Sequence, residues 1–237
     1  MSSSRSTSPT LISSQASRLP SFDLYGATHR GLRWAHADLM LRLGSTSPGD
    51  ATQTESVLAD LGNLLALCNV HLKLEDRHYH PALERRRSGS SAAIAEAHVQ
   101  HYAALAALRA LLATVGPDRA RWRGLYLAYA SFVAEDLLHM GEEETVMQAL
   151  FEELYSAAEL RKLNEDLVAD ISPADKLSFL RVMLPAANRE GRTALLGSVK
   201  AALPPGPFQG LLAALRPTLS GADFEELVAS LSALGPV

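Results

Sequence analysis

Residues 71–84 read HLKLEDRHYHPALE, and within that run His71 and Glu75 stand four positions apart. Four residues on an α-helix subtend roughly 40° around the axis, so both side chains face one place. The residues leading into the pair carry the helix. Val57, Leu58, Leu61, Leu64, Leu65 and Leu72 fall at the spacing of an apolar helical stripe. An imidazole nitrogen and a carboxylate oxygen aimed together suit iron, manganese or zinc. One such pair is also what a solvated ion pair looks like.

The motif recurs at His139 and Glu143. Two copies on separate helices of one fold argue much more strongly for a metal. The eight histidines are His29, His36, His71, His78, His80, His98, His101 and His139, and the C-terminal third of the chain holds none. The level of each histidine can be checked by counting along the chain. The chain runs out from His29 to a loop centred on Ser47 and returns to His71; it runs out again from His101 to Pro117 and returns to His139. At about 1.5 Å per helical residue, each outward and return leg differs by only about two turns. Four histidines, one per helix, therefore return to about the same level. Six polar groups converging in a core without an ion would carry a desolvation cost that packing does not repay.

Breakers divide the rest of the chain. Residues 1–22 read as a disordered tail without the apolar core of a signal peptide. Helical patterns follow over 28–43, 51–79, 91–115 and 118–155, with Pro117 placed to start the last. Short connections make neighbours antiparallel, which predicts an all-α, up-down four-helix bundle over 23–156. Residues 157–237 predict a C-terminal extension of short helices, packed on the bundle or on a partner such as a second copy. Ser172-Pro173-Ala174-Asp175 has the cap, proline and acid of a helix start, and breaks are expected at Pro185, Pro204-Pro205-Gly206 and Gly221.

The bulk numbers agree with a globular helical protein. Hydrophobic residues make up 47% and charged residues 20%, and the formal net charge is −4. That balance argues against nucleic acid, which favours a concentrated basic face; Arg85-Arg86-Arg87 reads as a solvated helix end. The lone Cys68 permits no internal disulfide and reads as a small buried residue, so a cytoplasmic location is expected. No apolar run is expected to span a membrane. Phosphate-cradling glycine loops, nucleophile elbows and kinase motifs are absent from the sequence.

The stretches THRGLR, HLKLEDRHYHPALE, AEAHVQHYAAL and FVAEDLLHMGEEET resemble the hemerythrin-like, or HHE cation-binding, family over about residues 25–154. The extension MLPAANREGRTALLGSVKAAL is similar to a bacterial subgroup of it. The resemblance implies a metal set of His29, His71, Glu75, His101, His139 and Glu143, holding two non-haem irons with an oxo or hydroxo bridge. Zinc or manganese would suit the same donors. On the third helix either His98 or His101 points inward, and the motif favours His101. His36, seven positions beyond His29, is expected to line a cavity above the ligand plane. His80 falls opposite His71 unless Pro81 disturbs the helix, in which case it joins as a further ligand. His78 and Glu135 are candidates to brace the ligands, while Glu142 and Glu144 are expected to face water. Tyr25, Trp34, Tyr102, Tyr126 and Tyr129 are expected to wall the site or to serve as ordinary core.

The implied function is binding of dioxygen for storage, sensing or delivery, with no dedicated catalytic residue. A di-iron oxidoreductase acting on nitric oxide, peroxide or an organic substrate is the competing expectation, because pure carriers keep an apolar pocket. A regulatory module coupled to the extension is the third.

Overall fold

The computed structural model describes residues 19–235. Among them the chain is all-helical, with 85% helix and no strand. The first four helices are α1 (Gly26–Ser45), α2 (Ala51–Arg86), α3 (Ala92–Thr114) and α4 (Arg119–Glu142). Helix α1 packs on α2 and α4, α2 packs on α3, and α3 packs on α4, so the four enclose one interior. The caps follow from the sequence. Asp50 and Asp118 accept the backbone N–H groups of Gln53 and Arg121, satisfying donors that a helix start leaves free. Gly116 takes φ +51° between α3 and α4, a conformation that costs glycine little.

Helix α2 runs through Pro81 to Arg86, longer than the 51–79 read from sequence. Its length and apolarity would also suffice to cross a membrane, contrary to the sequence expectation. Here its apolar stripe is spent inside the fold, where Leu61, Leu65, Ala82 and Leu83 are fully buried. Each buried leucine contributes about 1.5–3 kcal/mol relative to exposure.

The fourth helical pattern is not one regular α-helix. After α4 come a π-helical turn at Glu143–Met147 and then α5 (Gln148–Leu154). Helix α6 (Ala157–Asp170) starts at a reciprocal cap between Ser156 and Glu159 and packs on α2. Then come α7 (Pro173–Ala186), α8 (Arg189–Ala202), α9 (Pro205–Leu215), a 3₁₀ turn at Arg216–Thr218 and α10 (Gly221–Ala233). Ser172 caps α7 as its sequence suggested, whereas Pro185 sits inside α7 and Gly221 begins α10.

These last helices build a second apolar core from Leu180, Leu184, Leu196, Phe208, Leu212, Leu215, Leu227 and Leu231. Helix α7 joins it to α1, with Gly31 at the crossing: a Cβ there would lie 3.1 Å from the Met183 backbone. Of the tail read over 1–22, residues 1–18 lie outside the described residues. Phe22 beyond them packs on the main core, and its carbonyl accepts from Gln148 Nε2 at 2.9 Å.

Candidate metal centre

Two groups of buried side chains meet between α1, α2, α3 and the α4 end. One comprises His29, His71, Glu75 and Glu143; the other comprises Glu75, His98, His139 and Glu143. The two glutamates belong to both, and their oxygens divide between them. Glu75 Oε1 lies 3.5 Å from His71 Nε2 and 3.9 Å from His29 Nε2, while its Oε2 lies 3.7 Å from His98 Nε2. Glu143 Oε2 lies 3.4 Å from His29 Nε2, while its Oε1 lies 3.3 Å from His139 Nε2 and 3.6 Å from His98 Nε2.

The fit to metal ions can be judged from unpaired atoms. His29 Nε2, His71 Nε2, both Glu75 oxygens and Glu143 Oε2 are buried with no hydrogen-bond partner. Buried polar atoms are normally satisfied, so such a concentration calls for an ion. The spacing agrees, because donors bound at about 2.0–2.2 Å stand about 3.0–3.6 Å apart around one ion. His98 Nε2 and His139 Nε2 approach to 3.1 Å, although His98 Nδ1 is already committed to Asp76 Oδ1 at 2.7 Å. Two imidazole lone pairs facing each other need a proton or a metal between them. These donors therefore fit one or two cations, and the donor set alone does not name the element.

Carboxylates around the centre set the imidazole tautomers. His29 Nδ1 lies 3.1 Å from Glu144 Oε1, and Arg33 holds both Glu144 oxygens at 2.5 and 3.0 Å. Since a carboxylate accepts only, Nδ1 carries the proton and Nε2 turns a lone pair inward. Asp76 likewise accepts from His98 Nδ1, and also takes His80 Nδ1 at 3.1 Å and the Tyr102 hydroxyl at 2.6 Å. Burial opposes ionisation of Asp76 and Glu144. Donors from His80, His98 and Tyr102 outweigh it at Asp76, and those from His29 and Arg33 hold Glu144 down to about 2.

The ligand carboxylates are pulled in opposite directions. Burial and the charge of Glu143 push Glu75 well up. Burial would raise Glu143 too, but hydrogen bonds from His139 and His98 keep it well below the usual range. Burial and the neighbouring His29 lower His71 to about 3, so its imidazole is uncharged at neutral pH. His98 goes the other way: burial lowers it, but hydrogen bonds to Asp76 and Glu143 win and raise it to about 9.

Five of the six residues implied by the family pattern, His29, His71, Glu75, His139 and Glu143, thus converge in the two groups. His101 stands outside them. Its Nδ1–H donates to the Ala97 carbonyl at 2.9 Å, and its Nε2 lies 3.4 Å from Asp136 Oδ1. His98, three positions earlier, takes the place expected of His101, because the inward direction of α3 at this level falls on residue 98.

His80 is buried against His98, with ring centroids 4.6 Å apart, although α2 stays helical through Pro81; it lies outside the two groups sharing the glutamates, but with Asp76 and His98 it forms a third group that could hold an ion. His78 faces α6, where its Nε2 lies 3.1 Å from Asp170 Oδ2. Glu135 is exposed, and the buried acid on α4 is Asp136. Glu142 faces solvent as expected, whereas Glu144 grips His29. Consecutive glutamates reach opposite nitrogens of one imidazole across the start of the π turn, an irregularity often found at functional sites. No sequence pattern announced it. Tyr25 packs on the His29 ring at 5.3 Å, while Trp34 is 40% exposed and walls nothing.

Comparison of the chain with family models, with curated proteins and with solved structures returned no match.

Proposed function

We propose that this chain is a hemerythrin-like, non-haem di-iron protein, in which α1–α4 form an up-down four-helix bundle that binds dioxygen or a related small molecule. The observation that carries the reading is the division of oxygens. Glu75 and Glu143 each turn one oxygen to the His29/His71 side and the other to the His98/His139 side. Two carboxylates shared in this way suit a pair of ions rather than one.

In this reading His29 and His71 would hold one iron, His98 and His139 the other, and the two glutamates both. Iron would supply reversible one-electron chemistry and a coordination position for the small molecule. The protein's part is positioning. Glu144 and Asp76 hold the Nδ1 protons of His29 and His98, which keeps both Nε2 lone pairs inward. Leu32, Leu72 and Met140, each buried, keep bulk water from the interior. Zinc and manganese suit the same donors, so iron is settled by analysis of the purified protein.

One observation favours the second reading, an oxidoreductase acting on peroxide, nitric oxide or an organic substrate. A row of buried polar groups, His36, Asp136 and His101, adjoins the cluster where a carrier would keep an apolar wall.

The test is metal content after anaerobic purification, followed by the absorption spectrum before and after admitting air. About two irons per chain are expected from the two donor groups. A new ligand-to-iron charge-transfer band that nitrogen sparging removes would support oxygen binding. Irreversible oxidation would favour the oxidoreductase. A chain that takes no iron refutes both.

A further inference from the structure

Beyond the two groups that could hold metal, toward the 46–50 and 115–118 loops, each of α1–α4 buries one further side chain: polar His36, His101 and Asp136, and the Cys68 thiol of the apolar core. Tyr129 on α4 heads the row. Its hydroxyl lies 2.8 Å from His36 Nδ1, and His36 Nε2 lies 3.1 Å from Asp136 Oδ2. The other Asp136 oxygen lies 3.4 Å from His101 Nε2, and the His101 ring packs on His139 with centroids 4.6 Å apart. Donor inventory orients the chain. Asp136 as a carboxylate accepts only, so a neutral His36 carries its proton on Nε2, and its bare Nδ1 accepts from the phenol. His36 and Tyr129 are both 0% exposed, so no bulk water competes for these bonds.

A tyrosine that merely fills a core satisfies its hydroxyl at a backbone carbonyl, as Tyr155 does at Ala82 and Tyr79 at Leu24. Tyr102 donates to the carboxylate of Asp76. Among the described tyrosines Tyr129 alone is bonded to an imidazole. Imidazole is the better proton acceptor, its usual pKa lying about 2.6 units above that of an aspartate. The difference matters because removing an electron turns a phenol into a strong acid. A charged phenol radical is not solvated in an apolar core, so the electron leaves only if the proton has a base to reach.

We propose that Tyr129 is a redox-active side chain, a one-electron donor whose phenolic proton passes to His36 Nδ1 while Asp136 holds the imidazole. The O–H bond of Tyr129 breaks and an N–H bond forms on His36. The electron goes to a one-electron oxidant of high potential, and a reductant reverses both transfers. The imidazolium formed on His36 keeps its charge-assisted hydrogen bond to Asp136. Burial holds the phenol protonated before the step, and the His36 hydrogen bond outweighs burial to keep Asp136 ionised. Only the supply of oxidant from the neighbouring cluster rests on the di-iron reading; the phenol–imidazole–carboxylate geometry stands without it.

The experiment uses the full chain supplied with zinc(II), which is redox-silent. Photogenerated tris(bipyridine)ruthenium(III) serves as the one-electron oxidant, and the frozen sample is read by electron paramagnetic resonance. A long-lived tyrosyl signal is expected, lost in Tyr129→Phe and in His36→Gln, with helix content checked in both. If His36→Gln does not fold, the unaltered protein decides. After transfer to D₂O, its tyrosyl signal should show coupling to an exchangeable deuteron carried by His36 Nδ1 and hydrogen-bonded to the phenoxyl oxygen. The proposal is overturned if no long-lived signal forms, if it survives Tyr129→Phe or a folded His36→Gln, or if that coupling is absent. Zinc content of the same sample separates the two readings. Signal without bound zinc sinks the metal reading alone, and bound zinc without signal sinks this proposal alone.

Discussion

Removing metal should destabilise the protein strongly, and the structure sets the scale. The unpaired inward atoms are His29 Nε2, His71 Nε2, Glu75 Oε1, Glu75 Oε2 and Glu143 Oε2. A buried polar atom without a partner costs about 1–3 kcal/mol, so at the low end these together cost about 5 kcal/mol. That is of the order of a whole domain's stability, about 5–15 kcal/mol. In a chain of this size each kcal/mol moves the unfolding midpoint by about 2–4 °C, which gives roughly 10–20 °C between metal-free and loaded protein. The assay is thermal unfolding followed by circular dichroism, first in chelator and then with iron(II) added anaerobically in steps. The midpoint should rise until two equivalents are bound, one for each donor group. A rise below about 3 °C at saturation would mean that the unpaired atoms are satisfied without an ion, and the metal argument would fail.

Three further outcomes follow from particular contacts. Glu144→Ala frees His29 Nδ1 and should weaken metal binding by about 10–100-fold without changing the stoichiometry, measured by competition with a chromophoric chelator. His98→Ala should lower the metal content of the purified protein, whereas His101→Ala should leave it near the unaltered value. The opposite ranking would restore His101 as the ligand. His98, raised to about 9 when metal-free, has the sign of a group that stabilises the fold in its protonated form. That contribution is complete below the unfolded value of about 6.5 and is lost as pH rises through about 9. Metal must displace the same proton, so affinity should climb with pH up to about 9. Calorimetry in buffers of different ionisation enthalpy would detect the released proton, and its absence would contradict the assigned hydrogen bonds.

The helices and their inward stripes were legible because both depend on short-range periodicity. His71 with Glu75, and His139 with Glu143, share a helix face by spacing alone, and each pair meets in the interior. Counting along the chain around the loops at Ser47 and Pro117 likewise brought His29, His71 and His139 to one level, but it used His101 where the structure places His98. A choice between neighbours on one helix was not legible. His98 and His101 lie three apart, roughly 60° around the axis, and the sequence of α3 does not state how far the helix is rotated. Packing against α2 and α4 sets that rotation, and it turns His98 inward. The same holds on α4, where Asp136 is buried and Glu135, a full turn before His139, is not.

Residue types, helix lengths and the two His-x-x-x-Glu pairs are properties of the chain read locally, and the sequence by itself determined an all-helical protein with His and Glu side chains that could hold a metal ion. Tertiary structure alone decided the partners that act between elements: Glu144 on His29, Asp76 on His98, and His36 between Tyr129 and Asp136. Hydrogen bonds of 2.7–3.1 Å join those partners, each from one helical element to another. The physical reason is that such bonds depend on helix rotation and rise at the ångström level. Those quantities are set by the packing of whole side-chain surfaces, and no local run of sequence carries them.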